Sequence, residues 1–534
     1  MSNMATSSLL KTYAAGLAKA DLVHLLKRTL YGATPADIAY FEKKELDSII
    51  SELVSAPAGE TPPPLNYYNS ATYTDPQGIE AGKTWVNAAY GDGTVNGYRA
   101  NSLRRWWIQR LLLQGRSIRE KLMVFWHNHF VTEIRETGDA RYSYRYVELL
   151  RKHALGNFKV FVKEMTLNPA MLIYLNGDKN TKAAPDENYG RELQELFCIG
   201  KGPGSGYTED DVKAAARVLT GFRASRTDIA GYFVASRHDT ADKTFSSFYK
   251  NTVIKGKTGD AGAKELDELL EMLFSTEELS RFIIRRLCVF FVHHDINEQV
   301  EKEVIGPLAR LFRESNYEIK PVLQALFKSA YFFDKTYYGA QIKSPLDIVV
   351  GTLREFDVVF PPETTHLVPL YNLLNDLYNV CNSAQQAIGD PPDVAGWKAF
   401  YQAPGFYQNW VTSDTYPKRN SFLDTLLNKG YTRNQTRIGV DFPAFARQLA
   451  HPGDPNLLIT ESLELLYCVA LSAEQKTQIK TDILLSGQTS DHYWTDLWNR
   501  YILNPADAEA QKMVTDKLRS LYRHLLSLPE FQLM

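Results

Sequence analysis

The 534-residue chain is poor in cysteine, in unbalanced charge and in long apolar runs. Its four cysteines, Cys198, Cys288, Cys381 and Cys468, are widely spaced, and none forms a CxxC pair. That excludes a zinc knuckle and a disulfide framework as organising devices. The apolar surroundings of all four predict buried thiols. Lys and Arg number 60 against 62 Asp and Glu, with no run of one sign. This balance argues against a nucleic-acid partner and against a charged tail. No stretch reaches the roughly 18 apolar residues that span a bilayer, so no transmembrane segment is expected. The opening MSNMATSSLLKTYAAGLAKADLVHLL lacks a basic region followed by an uninterrupted apolar one, and no clear signal peptide is read there.

What is present is a large apolar inventory, 44% of residues, arranged mostly with helical periodicity. Helix-start grammar recurs: Thr34-Pro35 with Asp37, Thr208 with Asp211, Ser275 with Glu278, and Ser344-Pro345 with Asp347. The expected fold class is therefore mainly α, a large helical array. Two segments break the pattern. Residues 56–98, rich in Pro, Gly, Asn and Tyr, predict a long irregular loop whose aromatic residues favour an ordered layer over the surface. Residues 222–257 show short alternating runs between glycines, the mark of a small β-hairpin insert. QAIGDPPDVAGWKAF must be irregular, because adjacent prolines and a Gly-Trp turn exclude helix. Residues 1–420 read as a helical core and 421–534 as a C-terminal helical segment packed on it, together one compact unit. The end, LYRHLLSLPEFQLM, is similar to VLQALFKSAYFFD at 322–334, but no regular repeat period is present.

Several segments hold chemistry-bearing side chains. FWHNHFVT, 125–132, sets two histidines around an asparagine. In a continuing helix His127 and His129 point about 200° apart and cannot share a ligand; at a helix end they can. The same pattern also fits a packed helix end whose histidines are hydrogen-bonded core groups. NYGRELQELF, 188–197, puts Glu192 and Glu195 three apart on one helical face, suited to a general acid/base pair or a carboxylate metal site. Arg191 and Glu195, four apart, could instead pair on a solvated face. Leu193, Leu196 and Phe197 imply heavy packing, with one acid turned inward. SRHDTADKTF, 236–245, groups Arg237, His238, Asp239 and Lys243 in a loop, where function concentrates, or forms a simple polar turn. GKGPGSGYTEDDV is neither a phosphate loop nor a serine nucleophile elbow; Thr208 capping a helix explains it. DPPDVAGW, 390–397, offers Asp390, Asp393 and Trp397 on a stiff corner.

These motifs occur in order with HLLKRTLYGATPADI, REKLMVFWHNHFVT, KSPLDIVVG and the closing LPEFQ. Together they resemble the bacterial family catalogued as domain of unknown function 1800, from about residue 20 to the end of the chain. The resemblance implies a predominantly helical fold and no established activity. It also implies relatives often exported to the envelope or periplasm, with a sulfatase-like protein encoded nearby as the implied partner. This chain departs in lacking an export signal. It departs again at IGDPPDVAGWKAF, where relatives carry an aromatic residue before the prolines and Gly-Gly after the tryptophan. The family's signature positions match His127, Asn128, His129, Arg191 and Glu192, and also Arg237, His238 and Asp239.

Two functions follow as expectations. In the first, His127, His129, Glu192 and Glu195, with His238 and Asp239, line a pocket of an enzyme hydrolysing a polar or anionic substrate, which Arg191 or Arg237 would hold. A divalent metal, Zn, Fe or Mn, would be bound through His127, His129 and Glu192. In the second, the protein is a binding or scaffold protein of the envelope, with the 56–98 loop facing a glycan or protein. Convergence of the polar groups in one pocket separates the two.

Overall fold

The computed structural model describes residues 8–57, 59 and 61–534. The capping grammar positions most helix starts where the sequence placed them. Thr34 accepts the Asp37 N–H at 3.0 Å and Pro35 opens the helix Pro35–Phe41. Thr208 and Asp211 form a reciprocal capping box ahead of Glu209–Val218. Ser344 and Asp347 each accept the other's N–H, at 3.2 and 3.1 Å. Ser275 behaves differently. It keeps a helical backbone and donates its hydroxyl back to the Met272 carbonyl at 2.8 Å, closing Glu265–Phe274. The next helix, Glu277–Phe291, starts one residue later behind Thr276.

The fold is mainly α, with three two-stranded antiparallel sheets among the described residues. The insert at 222–257 holds two of them: Phe222–Ser225 with Ala230–Phe233, and Lys243–Thr244 with Val253–Ile254. The third, Tyr431–Arg433 with Thr436–Ile438, was not expected. Its Asn434-Gln435 turn is left-handed at both residues, the geometry that lets a two-residue turn follow the strand twist.

The described residues of the 56–98 segment, all but 58 and 60, form an ordered layer, irregular only as far as Asp92. Asp92 caps the helix Gly93–Leu112 through the N–H groups of Thr94 and Val95, ahead of the apolar pattern that begins near Leu103. Asp75 forms a fully buried ion pair with Arg99 of that helix. Trp85 is buried and donates to Ser102 at 3.1 Å. Tyr67 stacks on Tyr371 and Tyr68 on Tyr98, so the layer's rings pack inward.

Buried apolar residues from Leu22 to Phe531 form one contiguous cluster drawn from both the 1–420 and 421–534 segments. Cys198, Cys288 and Cys381 are buried; Cys468, expected buried, is half-exposed. No helix among the described residues is long and apolar enough to cross a membrane.

Candidate active site

The helix Arg119–His127 runs through the core, and Asn128 ends it. His127 is fully buried. Its Nε2 accepts the Gly389 N–H at 3.0 Å, so its Nδ1 carries the proton and donates to Tyr146 Oη at 2.8 Å. Tyr146 in turn donates to the Phe130 carbonyl at 2.6 Å. Both ring nitrogens are occupied, and burial pushes the His127 pKa down to about 3. Asn128 Oδ1 accepts the Trp397 N–H at 2.7 Å, and its carbonyl accepts from Arg286 at 3.0 Å. Gly396 has a positive φ of 97°, and a Cβ there would overlap the Asn128 side chain. His129 Nε2 donates to the Phe197 carbonyl at 3.0 Å, leaving Nδ1 buried without a partner. Burial, and then the Arg286 charge, hold its pKa well below the usual range. The His-Asn-His stretch is thus a hub. It fixes the DPPDVAGW corner on one side and the GRELQELF turn on the other.

That turn is not a regular α-helix. Asn188–Glu192 is α-helical, and Leu193–Cys198 widens into a π turn. π turns inside helices recur at functional sites. Glu192 sits at the junction, 8% exposed, with Oε2 buried and unpartnered. Burial and the nearby Glu195 carboxyl raise its pKa to about 7, against the opposing pull of Lys201 and Arg191; Asp393 adds to the rise. Glu195 is ion-paired with Lys201. Asp393 comes from the corner that the hub holds and is turned outward. A fourth acid, buried Glu133, accepts from Tyr174 Oη at 3.0 Å and Arg135 Nε at 2.6 Å. Tyr174 lies in the field of both Glu133 and Asp393. Tyr207, beside Glu195 and Glu192, has its pKa raised to about 12 by burial first and those charges second.

The other expected residues lie elsewhere in the bonding pattern. Arg191 does not pair with Glu195; it binds Glu209 through two hydrogen bonds of 2.7 Å and Glu187 at 3.1 Å, facing outward. Arg237 is exposed. His238 is buried, with Nδ1 donating to the Thr220 carbonyl at 2.9 Å and Nε2 3.1 Å from Glu265 Oε1. Glu265 also pairs with fully buried Lys243 at 2.5 Å and accepts the Lys257 N–H at 2.6 Å. Asp239 is bound by Arg217 at 2.8 and 3.2 Å. Burial would raise the Asp239 pKa, but the Arg217 hydrogen bonds outweigh it and hold it low. His238, Asp239, Lys243, Glu265 and Arg217 form a paired network that ties the hairpin insert to its neighbours.

The expected metal set of His127, His129 and Glu192 is not assembled. His127 has no free lone pair, because Nε2 is taken by Gly389 and Nδ1 carries the proton. His129 and Glu192 keep one free atom each, but among the described residues no three His, Cys, Asp or Glu side chains group as a metal site. The one direct pair here is Glu195 with Lys201, and the charges of Glu195, Lys201, Arg191 and Asp393 act on Glu192. Lys201 was missed from the sequence because it lies in the Gly-rich stretch that the Thr208 cap already explained.

The chain belongs to the family described as protein of unknown function, DUF1800, whose model matches residues 24–533. No curated protein and no solved structure matches the chain.

Proposed function

We propose that the protein is an enzyme that hydrolyses a neutral, hydroxyl-rich substrate such as a glycan, with Glu192 as the proton-transfer group. The observation that carries this reading is a buried carboxyl with one oxygen unpartnered and a pKa near 7. Orphaned buried polar atoms are rare in folded proteins and call for an explanation. A carboxyl half-protonated at neutral pH suits general acid/base work, because it can both give and take a proton at the working pH. Glu195, paired with Lys201, is the second carboxyl of the pair, as in the two-carboxyl hydrolysis of glycosidic bonds. Glu195 and Asp393 both raise the Glu192 pKa, and that negative field favours a neutral substrate over an anionic one. The inward-packed rings of the 56–98 layer support the alternative, a glycan- or protein-binding scaffold using that layer, less well.

The test is a panel of chromogenic glycosides and esters assayed with wild type, Glu192→Gln and Glu195→Gln. The expected result is an activity that falls by about 10²–10⁴ in Glu192→Gln with no loss of stability. The melting temperature of that variant should rise rather than fall, and an activity left intact in it would overturn the reading.

A further inference from the structure

A cavity lies at the start of the helix Arg119–His127, some way along the chain from Glu192 and independent of it. Its volume is ≈ 190 Å³, between Pro57, Gly59, Thr61 and Pro62 on one side and the turn that joins Gly93–Leu112 to Arg119–His127 on the other. Three guanidinium groups line it, Arg110, Arg119 and Arg151, with Glu120 as the one acid among the described lining residues. Glu120 is consumed by Arg151, which binds both its oxygens at 2.5 and 3.1 Å. Arg119 Nε reaches Glu120 only at 3.5 Å. Arg110 donates to the neutral Gln109 side chain at 2.8 Å. Glu363 approaches Arg110 from outside the cavity, engaged by Gln109 at 3.4 Å.

The lining also holds unmet hydrogen-bonding capacity. Arg110 Nε, Arg151 Nε and both amide atoms of Gln114 are buried without partners, and Gln114 is 7% exposed. The helix that starts here has no side-chain cap, so its positive end adds to the same field. Burial and mutual repulsion also lower the pKa of Arg119, and burial lowers that of Arg110. Like charges gathered in a cavity with one carboxylate among them are costly unless an anion joins them.

We propose that this cavity binds the tetrahedral oxyanion of a phosphate or sulfate ester, held by the forks of Arg110 and Arg119 with Gln114 as a neutral donor. Planar guanidinium groups match such oxyanions through paired hydrogen bonds.

The experiment is calorimetric titration with inorganic phosphate and, separately, inorganic sulfate, at ionic strength held constant with sodium chloride. Wild type is compared with Arg110→Gln, Arg119→Gln and Gly115→Glu. Gly115 lines the cavity, and a Cβ there meets nothing within 4 Å, so Gly115→Glu puts a competing carboxylate in the site without disturbing packing. Saturable binding with one site in wild type, weakened roughly tenfold or more in the variants, is expected. The anion bound more tightly identifies the ester class. No saturable heat with either anion in wild type would overturn the proposal. So would unchanged affinity in Gly115→Glu with wild-type melting behaviour.

Discussion

The His127–His129 hub and the Glu192 turn are joined by one hydrogen bond, His129 to the Phe197 carbonyl, yet they differ in kind. Both are buried, polar and drawn from the family's motifs. In the hub, both nitrogens of His127 and the side-chain oxygen of Asn128 have partners, and the one orphan named there, His129 Nδ1, sits on a ring that burial keeps neutral. In the turn, one carboxylate oxygen has none. Paired burial builds architecture, because every bond made fixes a neighbour, and it leaves His127 neutral far below pH 7; the open Glu192 carboxyl instead titrates near neutral pH. Residue type alone does not separate the two. The histidines, the more obvious candidates for chemistry, are the scaffold, and the glutamate they help to position has the pKa raised to about 7.

That contrast breaks first at the most fully paired group. Replacing Lys243 by Met leaves Glu265 buried beside His238 without its ammonium partner, and should cost about 3–5 kcal/mol in urea unfolding. A loss under 1 kcal/mol would show that the network is not structural. Next in size, Asn128→Ala frees the Trp397 N–H and loosens the corner; about 2–3 kcal/mol is expected by the same measurement.

Glu192→Gln should act in the opposite direction. The Glu192 pKa is raised from 4.5 to about 7, so between those values the folded state binds more protons than the unfolded one. Wild-type stability therefore has a component that is full below pH 4.5 and lost as pH rises through 7. Relative to wild type, the variant should be more stable by about 2–3 kcal/mol at pH 8 and equal at pH 4. Equal stability at both would mean that Glu192 titrates normally. The buried histidines slope the other way. His24, His127 and His129 all have depressed pKa values, so stability should fall as pH drops below the unfolded value of 6.5. Thermal melts from pH 8 to pH 4 check the sum of the two trends. The smallest effect belongs to Arg191→Ala, which removes a surface pair and should change stability by less than about 1 kcal/mol.

Much of the scaffold was legible in the sequence, because helix periodicity and capping are local. Thr34, Thr208 and Ser344 behave as their neighbours dictate. Ser275 does not, since the choice between ending one helix and starting the next rests on a single residue's backbone. The site was legible only in part. Glu192 and Glu195 were recognisable as a pair, but their environment depends on the π turn and on Lys201 and Asp393. The role of His127 was hidden for a plainer reason: its decisive partner, the Gly389 N–H, lies 262 residues along the chain. No local pattern announces a backbone donor at that distance.

The most direct measurement is a ¹³C NMR titration of protein labelled at glutamate carboxyl carbons, run on wild type and Glu192→Gln. One resonance titrating near pH 7 in wild type and missing from the variant is the expected result. A wild-type spectrum in which no glutamate has a titration midpoint above about pH 5 would contradict the proposed proton-transfer role of Glu192.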